Sequence, residues 1–565
     1  MARKINYDNW SKEELIKELR RIKETKYGLV WHRDLPEEKI DVLINPDART
    51  PSEMFPNEMA GRPFPILKET KGKEINGDKG KPVNLLMEGD NYHSLAVLSF
   101  THQEAVDLIY IDPPYNTGNS DFIYNDKLVD PEDPFRHSKW LSFMYKRLRL
   151  AKNLLKDTGI IYISIDDNEV AQLKLLCDEI FEESNFLAIQ IWRGMHTVRN
   201  SSKDFSHNSE YILTYAKNKN ALIKPGKADT YLRIAKDKTA SYPLDDNDGN
   251  GPYKLDPIYA RNYYKPYTVT FPNGVKWAAP RGNYPRYSQE GLLEMYSRGV
   301  LVFGGKEPKA KRLLKDVQEG VPPNTLLPNE EVGFNKDGTT LLSQMFGDRK
   351  VFDQPKPVNL VKYLLSIASK RLDLRTYVVL DFMAGSGTTG HAVLEANKED
   401  GGNRQFILCT NNENNICTDV CYPRVKKVIK GYKNPKGESV AGLGGNLKYY
   451  VCDFVEAEPT DRNKRKLVSE STEMLCIREN AFELVQDESD FKIFQNSDKY
   501  LGIVFYEEAI GDFKKAIKKI KGHFNTYVFS LGDDPHEKQF ADVKDKVTLC
   551  AIPEVILKVY REIFK

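Results

Sequence analysis

The sequence predicts an α/β protein whose core is a parallel sheet flanked by helices. Two stretches, 83–221 and 351–439, alternate short apolar runs with amphipathic segments, a pattern typical of βαβ units. A loop-rich stretch, 222–350, separates them, and a stretch with several strands and one lysine-rich helix, 440–565, follows. We therefore predict one sheet built from two separated parts of the chain, with an inserted domain and a C-terminal α+β domain.

The composition is ordinary for a globular protein. Of 565 residues, 40% are hydrophobic and 29% are charged, and the formal net charge is +2. These values exclude collagen-like, wholly disordered and supercharged proteins. No apolar run approaches the ~18 residues of a membrane-spanning helix, the N-terminal segment lacks a signal-peptide core, and seven cysteines are too few for a secreted disulfide scaffold. We expect a cytoplasmic protein, and the balanced charge leaves a nucleic-acid partner open.

The first 82 residues predict an N-terminal arm. Ser11 and Glu14 fit a capping box, and the apolar residues after them recur at helical spacing until Gly28, which can end a helix. Residues 31–82 are rich in Pro, Glu and Lys and lack periodicity. We therefore assign 1–82 to a helical and irregular arm that serves packing or oligomerisation.

Residues 83–221 predict the first part of the sheet. The apolar runs typical of buried strands are 84–87, 105–111 and 159–165. The segments with helical periodicity are 92–100, about 137–156 and about 168–181. The first strand ends at Glu88-Gly89-Asp90 and the second at Asp112-Pro113-Pro114-Tyr115. Because ligands of parallel sheets bind at the carboxyl ends of strands, both ends are candidate sites.

Residues 351–439 predict the second part of the sheet. A helix near 358–370 precedes a strand at 376–380, and a glycine-rich turn then leads into a helix that reaches about Asn397. Another strand is predicted at 405–409. In the last region, 440–565, the predicted elements are strands near 449–451, 501–505 and 526–530 and a lysine-rich helix at about 507–521.

The glycine-rich turn has the spacing G-x-G-x-x-G. Gly385, Gly387 and Gly390 follow a strand and precede a helix, where glycine permits a tight turn and close approach to a nucleotide-like ligand. Thr388 follows Gly387 without a lysine, so the turn is not a P-loop. A dinucleotide dehydrogenase, in which Glu413 would hold ribose hydroxyls, and a purely structural turn both remain open.

The sequence Asp112-Pro113-Pro114-Tyr115 points to a more specific chemistry. The two prolines stiffen the loop and remove two amide donors. The Asp112 carboxylate and the Pro113 carbonyl are then acceptors for the two hydrogens of a planar amine, and Tyr115 can stack on the base that carries it, which is worth about 1–3 kcal/mol. When the amine loses its planarity, its lone pair becomes localised on the nitrogen, and the amine becomes a nucleophile. The competing interpretation is a strand-ending turn with a surface tyrosine.

The chain resembles the DNA amino-methyltransferases of the β arrangement, which use S-adenosylmethionine, and specifically the modification (Mod) subunit of type III restriction–modification systems. The segments that carry this resemblance are NLLMEGDNYHSLAVL, DLIYIDPPYNTG, RHSKWLSFMYKRL, FDQPKPVNL and VVLDFMAGSGTTGHAVL. The resemblance implies a Rossmann-like sheet with circularly permuted motif order. It makes 83–221 the catalytic half, 351–439 the cofactor half and 222–350 a target-recognition insertion.

The resemblance also implies roles for individual residues. Asp112, Pro113, Pro114 and Tyr115 would hold the target base. The residues that would bind the cofactor are Asp90, Lys356, Pro357, Asp381, Phe382, Ala384, Gly385, Ser386, Gly387, Thr388 and Glu413. Asn411 and Asn412 compete with Glu413 for the ribose hydroxyls. Met383 stands where the family usually has a second aromatic residue, a departure that we expect to be tolerated.

The implied reaction is methyl transfer to the N6 amine of an adenine flipped out of double-stranded DNA. The implied partners are a second copy of the chain and a restriction subunit. Alternatives are a solitary methyltransferase acting on adenine N6 or cytosine N4, a nicotinamide-dependent oxidoreductase, and a non-catalytic DNA-binding subunit. The insertion has tyrosines interleaved with basic residues, which suits DNA contacts, although a structural insert would look similar.

Three further features favour simple interpretations. Cys417 and Cys421 lack a second Cys/His pair at zinc spacing, so we predict no metal site. His137 and Ser138 open a helix without a partnering catalytic arrangement, which favours helix capping. The lysines near 514–521 are predicted to form a solvated face, with DNA contact as the alternative.

Overall fold

The computed structural model describes part of the first 62 residues and most of the remainder. The described residues are 11–12, 15–16, 31 and 63–556, except 79, 118–122, 125–126, 129–134, 199–202, 225–226, 228–229, 235, 306, 318–319, 348, 373–375, 457, 459, 497–498, 530–535 and 553–555. Most of the predicted arm, including nearly all of its helix, lies outside them. The chain forms two compact units, a main unit (Met1–Lys224 with Asn324–Lys565) and an insertion unit (Pro225–Pro323).

The first part of the main unit alternates strands and helices. Its strands are β1 (Phe64–Glu69), β2 (Ile75–Asn76), β3 (Val83–Glu88), β4 (Val106–Ile111), β5 (Ile123–Tyr124), β6 (Lys127–Leu128), β7 (Leu155–Ile165), β8 (Phe186–Trp192) and β9 (Glu210–Ala216). Its helices are α1 (Asn91–Thr101), α2 (Arg136–Leu154), α3 (Val170–Phe181) and α4 (Lys219–Leu222).

The insertion unit consists of small antiparallel sheets and one α-helix within the described residues. Its strands are β10 (Tyr253–Pro257), β11 (Tyr259–Ala260), β12 (Thr268–Thr270), β13 (Lys276–Ala278), β14 (Tyr284–Pro285), β15 (Leu301–Val302) and β16 (Lys309–Leu313). Its helix is α5 (Gln289–Ser297), capped by the Ser288 hydroxyl. Val269, Phe271, Trp277 and Leu292 belong to a small core of its own.

The second part of the main unit resumes the alternation. Its helices are α6 (Asn329–Val332), α7 (Asn335–Met345), α8 (Val358–Leu372), α9 (Thr388–Asp400), α10 (Tyr422–Lys430), α11 (Asp461–Glu479) and α12 (Ile510–Lys518). Its strands are β17 (Val378–Asp381), β18 (Gln405–Thr410), β19 (Gly431–Lys433), β20 (Ser439–Ala441), β21 (Asn446–Val455), β22 (Glu483–Asp487), β23 (Phe491–Gln495), β24 (Tyr500–Val504), β25 (Phe524–Val528) and β26 (Val547–Leu549).

Ten strands of the main unit form one mixed sheet. Its order is β1-β21-β3-β18-β17-β4-β7-β9-β8, and β2 also pairs with β21. The neighbours from β21 to β7 are parallel, whereas β1, β2, β8 and β9 join antiparallel. Every residue of β4 is buried, as expected for a strand covered on both faces. Helices α1, α2 and α3 pack in succession, as do α8, α9 and α10. The predicted α/β fold is confirmed.

The structure places three segments in other regions than the sequence predicted. Strand β1 was assigned to the arm, but it pairs with β21, and its apolar residues are buried in the main core. Strand β21, assigned to the C-terminal domain, lies in the central sheet. Residues 324–350, assigned to the insertion, belong to the main unit: the Leu327 amide donates to the Ile191 carbonyl and the Trp192 indole to the Gly333 carbonyl.

The C-terminal region forms a second sheet in the order β22-β23-β24-β25-β26. Its first three strands pair antiparallel and its last three parallel. The lysine-rich helix is shorter than predicted, since a 3-10 turn (Glu507–Ala509) precedes α12.

Candidate active site

The two motif-bearing loops leave the same edge of the sheet. Strands β4 and β17 are parallel neighbours, with Leu108 opposite Val379 and Ile109 opposite Leu380. Their carboxyl ends therefore lie side by side, one continuing into Asp112 and the other into the glycine-rich turn. Strands β18 and β3 follow in the same direction, so the strand ends that precede Glu413 and Asp90 line the same edge.

A lysine ammonium joins two carboxylates beside Tyr115. Lys356 Nζ lies 2.9 Å from Asp112 Oδ1 and 3.3 Å from Glu210 Oε2. The Tyr115 hydroxyl donates to Glu210 Oε2 at 2.9 Å, and Lys356 Nζ lies 4.8 Å from the centre of the Tyr115 ring. The Lys356 side chain is only 7% exposed, whereas that of Asp112 is 28% exposed. The Glu210 side chain is 14% exposed, so Asp112 is the more accessible of the two carboxylates.

The charges of this cluster depend on one another. Burial raises the pKa of Asp112, and the Lys356 ammonium opposes that rise. Burial also disfavours the Lys356 cation, but the carboxylates of Asp112 and Glu210 outweigh it and raise the lysine pKa above its ordinary value. For Glu210, burial is outweighed by Lys356 and by hydrogen bonds, so its pKa is lowered. The cluster therefore keeps Lys356 and Glu210 charged and leaves Asp112 as the group that is easiest to neutralise.

Helix α7 positions this cluster from outside the sheet. Asn335 Nδ2 donates to Glu210 Oε1 at 2.8 Å, and the Asn335 amide donates to the Gly194 carbonyl. A Cβ on Gly338 would lie 2.1 Å from the Pro355 carbonyl oxygen, so only glycine lets the helix pass this close to the segment that carries Lys356. The neighbouring Pro357 is buried.

The proline loop is also held from helix α2. Trp140, which is fully buried, donates its indole N–H to the Pro114 carbonyl at 2.7 Å. Pro113 and Pro114 provide no amide donors, so side chains from other elements must fix the loop.

The glycine-rich loop is fixed mainly by its own backbone. Gly385 and Gly387 have φ of +48° and +79°, in the left-handed region that favours glycine. The Ala384 amide donates to the Cys409 carbonyl and the Gly387 amide to the Ala384 carbonyl. A Cβ on Gly387 would lie 3.0 Å from Cys421 Sγ. The tight turn predicted from the spacing is present.

Asp381 and Phe382 lie beneath this loop. Asp381 accepts from the Met383 amide at 3.0 Å and from the Thr389 hydroxyl at 2.5 Å, and burial raises its pKa to about 7. Phe382 is fully buried in the main core. In this structure both side chains hold the loop in shape and neither faces open space, and Met383 packs at the edge of the same core.

A buried arginine supports the loop from helix α10. Arg424 is fully buried, and its Nη1 donates to the Ser386 hydroxyl at 2.9 Å and to Thr388 Oγ1 at 2.8 Å. Burial lowers the pKa of this guanidinium to about 10. Ser386 and Thr388, predicted to bind the cofactor, therefore also anchor the loop to Arg424.

The remaining predicted cofactor residues lie at the ends of β3 and β18. Asp90 caps α1 by accepting from the Tyr92 amide at 2.7 Å, and it pairs with Arg147 at 3.0 Å. Burial raises the Asp90 pKa, but Arg147, His93 and the Tyr92 amide together outweigh burial, so the Asp90 pKa is lowered. Asn412 accepts from the Thr418 amide and hydroxyl, whereas Glu413 is exposed. Of these two rivals, Glu413 has the more accessible side chain.

Sequence reasoning missed Glu210, Trp140 and Arg424. Glu210 is the single charge that begins the apolar run of β9, and Arg424 shares the buried face of α10 with Val425 and Val428. An isolated charge beside buried apolar residues could have marked Glu210 and Arg424 as functional candidates. Such a charge does not reveal which residue it pairs with in the fold.

The other candidates have structural partners. Cys417 is buried with its thiol 3.4 Å from the Tyr449 hydroxyl, and the described residues contain no group of three or more His, Cys, Asp or Glu side chains placed to hold a metal. His137 does not cap α2, because its ring bonds to Glu169. Lys515 pairs with Asp512 and Lys518 with Asp542, which fits the predicted solvated face. None of the described helices has the length and hydropathy to cross a membrane.

The chain is similar in sequence to known DNA methylases. Residues 106–420 match the DNA methylase family model. The chain is 37% identical over 361 residues to the StyLTI Mod subunit, a type III restriction-modification enzyme of Salmonella typhimurium, covering 58% of this chain and 52% of that subunit. It is 32% identical over 479 residues to the EcoPI Mod subunit of Escherichia phage P1, covering 71% of each chain.

A solved structure was also found to be similar. PvuII DNA methyltransferase (cytosine-N4-specific) is 12% identical, with 62% of this chain and 94% of that chain covered and a TM-score of 0.31. The match to the Salmonella subunit spans about half of its length, whereas the family model covers more than half of this chain and the phage P1 subunit is matched over more than two thirds. The chain therefore belongs to the DNA methylase family, together with the Mod subunits of type III restriction-modification enzymes.

Proposed function

We propose that this chain transfers a methyl group from S-adenosylmethionine to the N6 amine of adenine in double-stranded DNA, as the modification subunit of a type III restriction–modification system. The observation that carries the proposal is the parallel pairing of β4 with β17. This pairing places the proline loop, which would hold the base, beside the glycine-rich loop. Methyl transfer between two bound molecules requires such proximity.

The residues of the glycine-rich loop fit a nucleoside cofactor. Gly385 and Gly387 have no side chains of their own to fill the turn, and Arg424 holds Ser386 and Thr388 in place. Exposed Glu413 at the next strand end suits the ribose hydroxyls. When bound, the cofactor supplies a methyl group on a positively charged sulfur, which is already a strong electrophile.

The protein's own contribution is alignment and electrostatics. The Asp112 carboxylate and the Pro113 carbonyl accept the two amine hydrogens, and Tyr115 stacks on the base. The Lys356 ammonium opposes the effect of burial on the Asp112 pKa and so favours the ionised form of Asp112, which accepts hydrogen bonds. Glu210 accepts from the Tyr115 hydroxyl and pairs with Lys356 from a second direction. The base must leave the duplex to reach these groups, at a cost of a few kcal/mol.

The insertion unit is the proposed target-recognition domain. Tyr263 is 78% exposed and Tyr264 44% exposed, and basic side chains such as Arg261 and Lys265 lie beside them. Exposed aromatic and basic side chains are suited to base and phosphate contacts. Exchanging 225–323 with that of a relative of different specificity should change the methylated sequence, and an unchanged sequence would contradict this role.

The proposal extends to the assembly and its location. We propose a homodimer in the cytoplasm, with a restriction subunit as the further partner. The second partner is in keeping with the names of the relatives, which are Mod subunits of restriction-modification enzymes. Light scattering of the purified chain tests the dimer, and co-purification from the native host tests the second partner.

Base mapping in living cells tests the activity. DNA from cells with and without this chain is sequenced for modified bases. The proposal predicts N6-methyladenine at one recurring sequence only in cells that contain the chain. Modified cytosine at that sequence would favour N4 methylation instead, and no difference between the two DNAs would contradict the proposal.

A further inference from the structure

A buried side-chain network begins one residue after Tyr115. Asn116 has a left-handed backbone (φ +57°) and is 2% exposed. Its Nδ2 donates to Glu169 Oε1 at 2.5 Å. Glu169 comes from the loop between β7 and α3 and is fully buried. A carboxyl group thus reaches from a separate element to the residue that directly follows the base-holding loop.

His137 completes the network from helix α2. Arg136 Nε donates to His137 Nε2 at 3.2 Å, so the other ring nitrogen carries the imidazole proton. His137 Nδ1 then donates to the same Glu169 oxygen at 2.6 Å. One oxygen of Glu169 therefore accepts from two elements. Sequence patterns do not reveal this network, because its residues lie more than 20 positions apart.

We propose that Glu169 is a positioning residue for methyl transfer, acting through Asn116 on the orientation of Tyr115 and Asp112. The inference rests on the proposed function and deepens it. Asn116 offers the loop a side-chain donor at its end, where the prolines have removed two amide donors. A left-handed residue other than glycine also needs surrounding contacts to hold its backbone. Glu169 supplies that contact.

Among the described residues, the charged groups near Glu169 come from helix α2 and from its own loop. Arg136 lies beyond His137 and Asp166 is in the same loop, and burial raises the pKa of Glu169 to about 8. A neutral glutamate still accepts through Oε1, so Glu169→Gln should preserve the two hydrogen bonds, whereas Glu169→Ala removes both.

The test measures kcat and cofactor affinity in the full-length protein. We expect Glu169→Ala to lower kcat about tenfold or more while the dissociation constant for S-adenosylmethionine changes less than twofold, and Glu169→Gln to restore kcat to within about threefold of the wild type. Glu183→Ala, on an exposed glutamate that follows α3, is the matched control and should leave kcat unchanged.

A double-mutant cycle separates positioning from general destabilisation. Asn116→Gly removes the side chain but keeps the left-handed backbone accessible. If Glu169 acts through Asn116, the double variant loses no more kcat than the worse single variant. Losses that multiply, or an active Glu169→Ala variant, would overturn the inference. If the wild-type protein transfers no methyl group, the proposed function fails instead. Should Glu169→Ala not fold, the Gln and Asn116→Gly variants carry the same test.

Discussion

The two loops at the carboxyl edge of the sheet are stabilised in opposite ways. The glycine-rich loop after β17 closes on itself through backbone hydrogen bonds and left-handed glycines. The proline loop after β4 depends on side chains from α2, from the segment before α8 and from the start of β9: Trp140, Lys356 and Glu210. The first loop depends mainly on backbone geometry, with Arg424 as a side-chain anchor, whereas the second loop depends on side chains from distant parts of the chain.

This difference separates cofactor binding, at the glycine-rich loop, from catalysis, at the proline loop. A loop built on backbone geometry offers a fixed surface to a cofactor of constant shape. A loop held by charged side chains has an acceptor whose strength depends on neighbouring charges. Substitutions in the first loop should therefore change cofactor affinity, and substitutions around the second should change kcat and its pH dependence.

The largest effect is expected for Asp112→Ala. It removes the carboxylate acceptor, so kcat should fall on the order of 10³-fold. Cofactor affinity should change little, because the glycine-rich loop is untouched. Methyl-transfer rates and cofactor titration measure the two quantities. Asp157→Ala, at an exposed aspartate in β7, is the control. An equal loss of affinity would contradict the division between the loops.

Gly387→Ala should show the opposite pattern. The new Cβ meets Cys421 Sγ at 3.0 Å and forces a left-handed alanine, which costs about 1–2 kcal/mol. We expect cofactor affinity to fall roughly tenfold, measured by calorimetry. Gly401→Ala has a similar φ (+71°) but open space around it, so it separates backbone strain from distortion of the loop. If both variants bind the cofactor equally well, the loop is not the cofactor site.

Lys356→Met should shift the pH dependence of kcat. The ammonium lowers the pKa of Asp112, so its removal raises that pKa. The acid limb of the kcat profile should then move upward by about one pH unit, and activity at the lower pH should fall correspondingly. Lys356→Arg should return the limb towards its original position. An unmoved limb in the Met variant would mean that Lys356 does not control Asp112.

Glu169→Gln should alter how stability depends on pH. The pKa of Glu169 is raised from 4.5 to about 8 in the folded state. Its stabilising contribution is therefore present below about pH 4.5 and is lost as pH rises through 8. Because Gln cannot ionise, the melting temperature of the wild type should decline relative to that of the variant between pH 5 and 8. Parallel curves would show that Glu169 does not titrate in this range.

The smallest effect is expected at Lys515. It is exposed and pairs with Asp512 on α12. Such surface pairs are screened by water and contribute little to stability. Lys515→Ala should therefore leave the melting temperature unchanged and the DNA affinity within about twofold of the wild type. A pronounced loss of DNA affinity would instead make this helix a DNA contact.

The sequence predicted the loop that depends on local geometry better than the one that depends on distant partners. Glycine spacing indicated the turn at Gly385 and Gly387, and the pairing of β4 with β17 places this turn beside the Asp112 motif at one edge of the sheet. Glu210 and Arg424 could not be assigned partners, because an isolated charge in an apolar run does not specify what lies across the fold. Residues 324–350 were assigned to the wrong unit for the same reason: loop-rich composition does not reveal that the segment packs beside Trp192.

Incorporation of a labelled methyl group tests the central claim most directly. Purified protein is incubated with methyl-labelled S-adenosylmethionine and duplex DNA from cells that lack this chain, and the nucleosides are then separated and counted. We expect label in N6-methyladenine with the wild type and on the order of 10³-fold less label with Asp112→Ala. Label that stays in the cofactor with the wild type, or equal labelling by the Asp112→Ala protein, would contradict it.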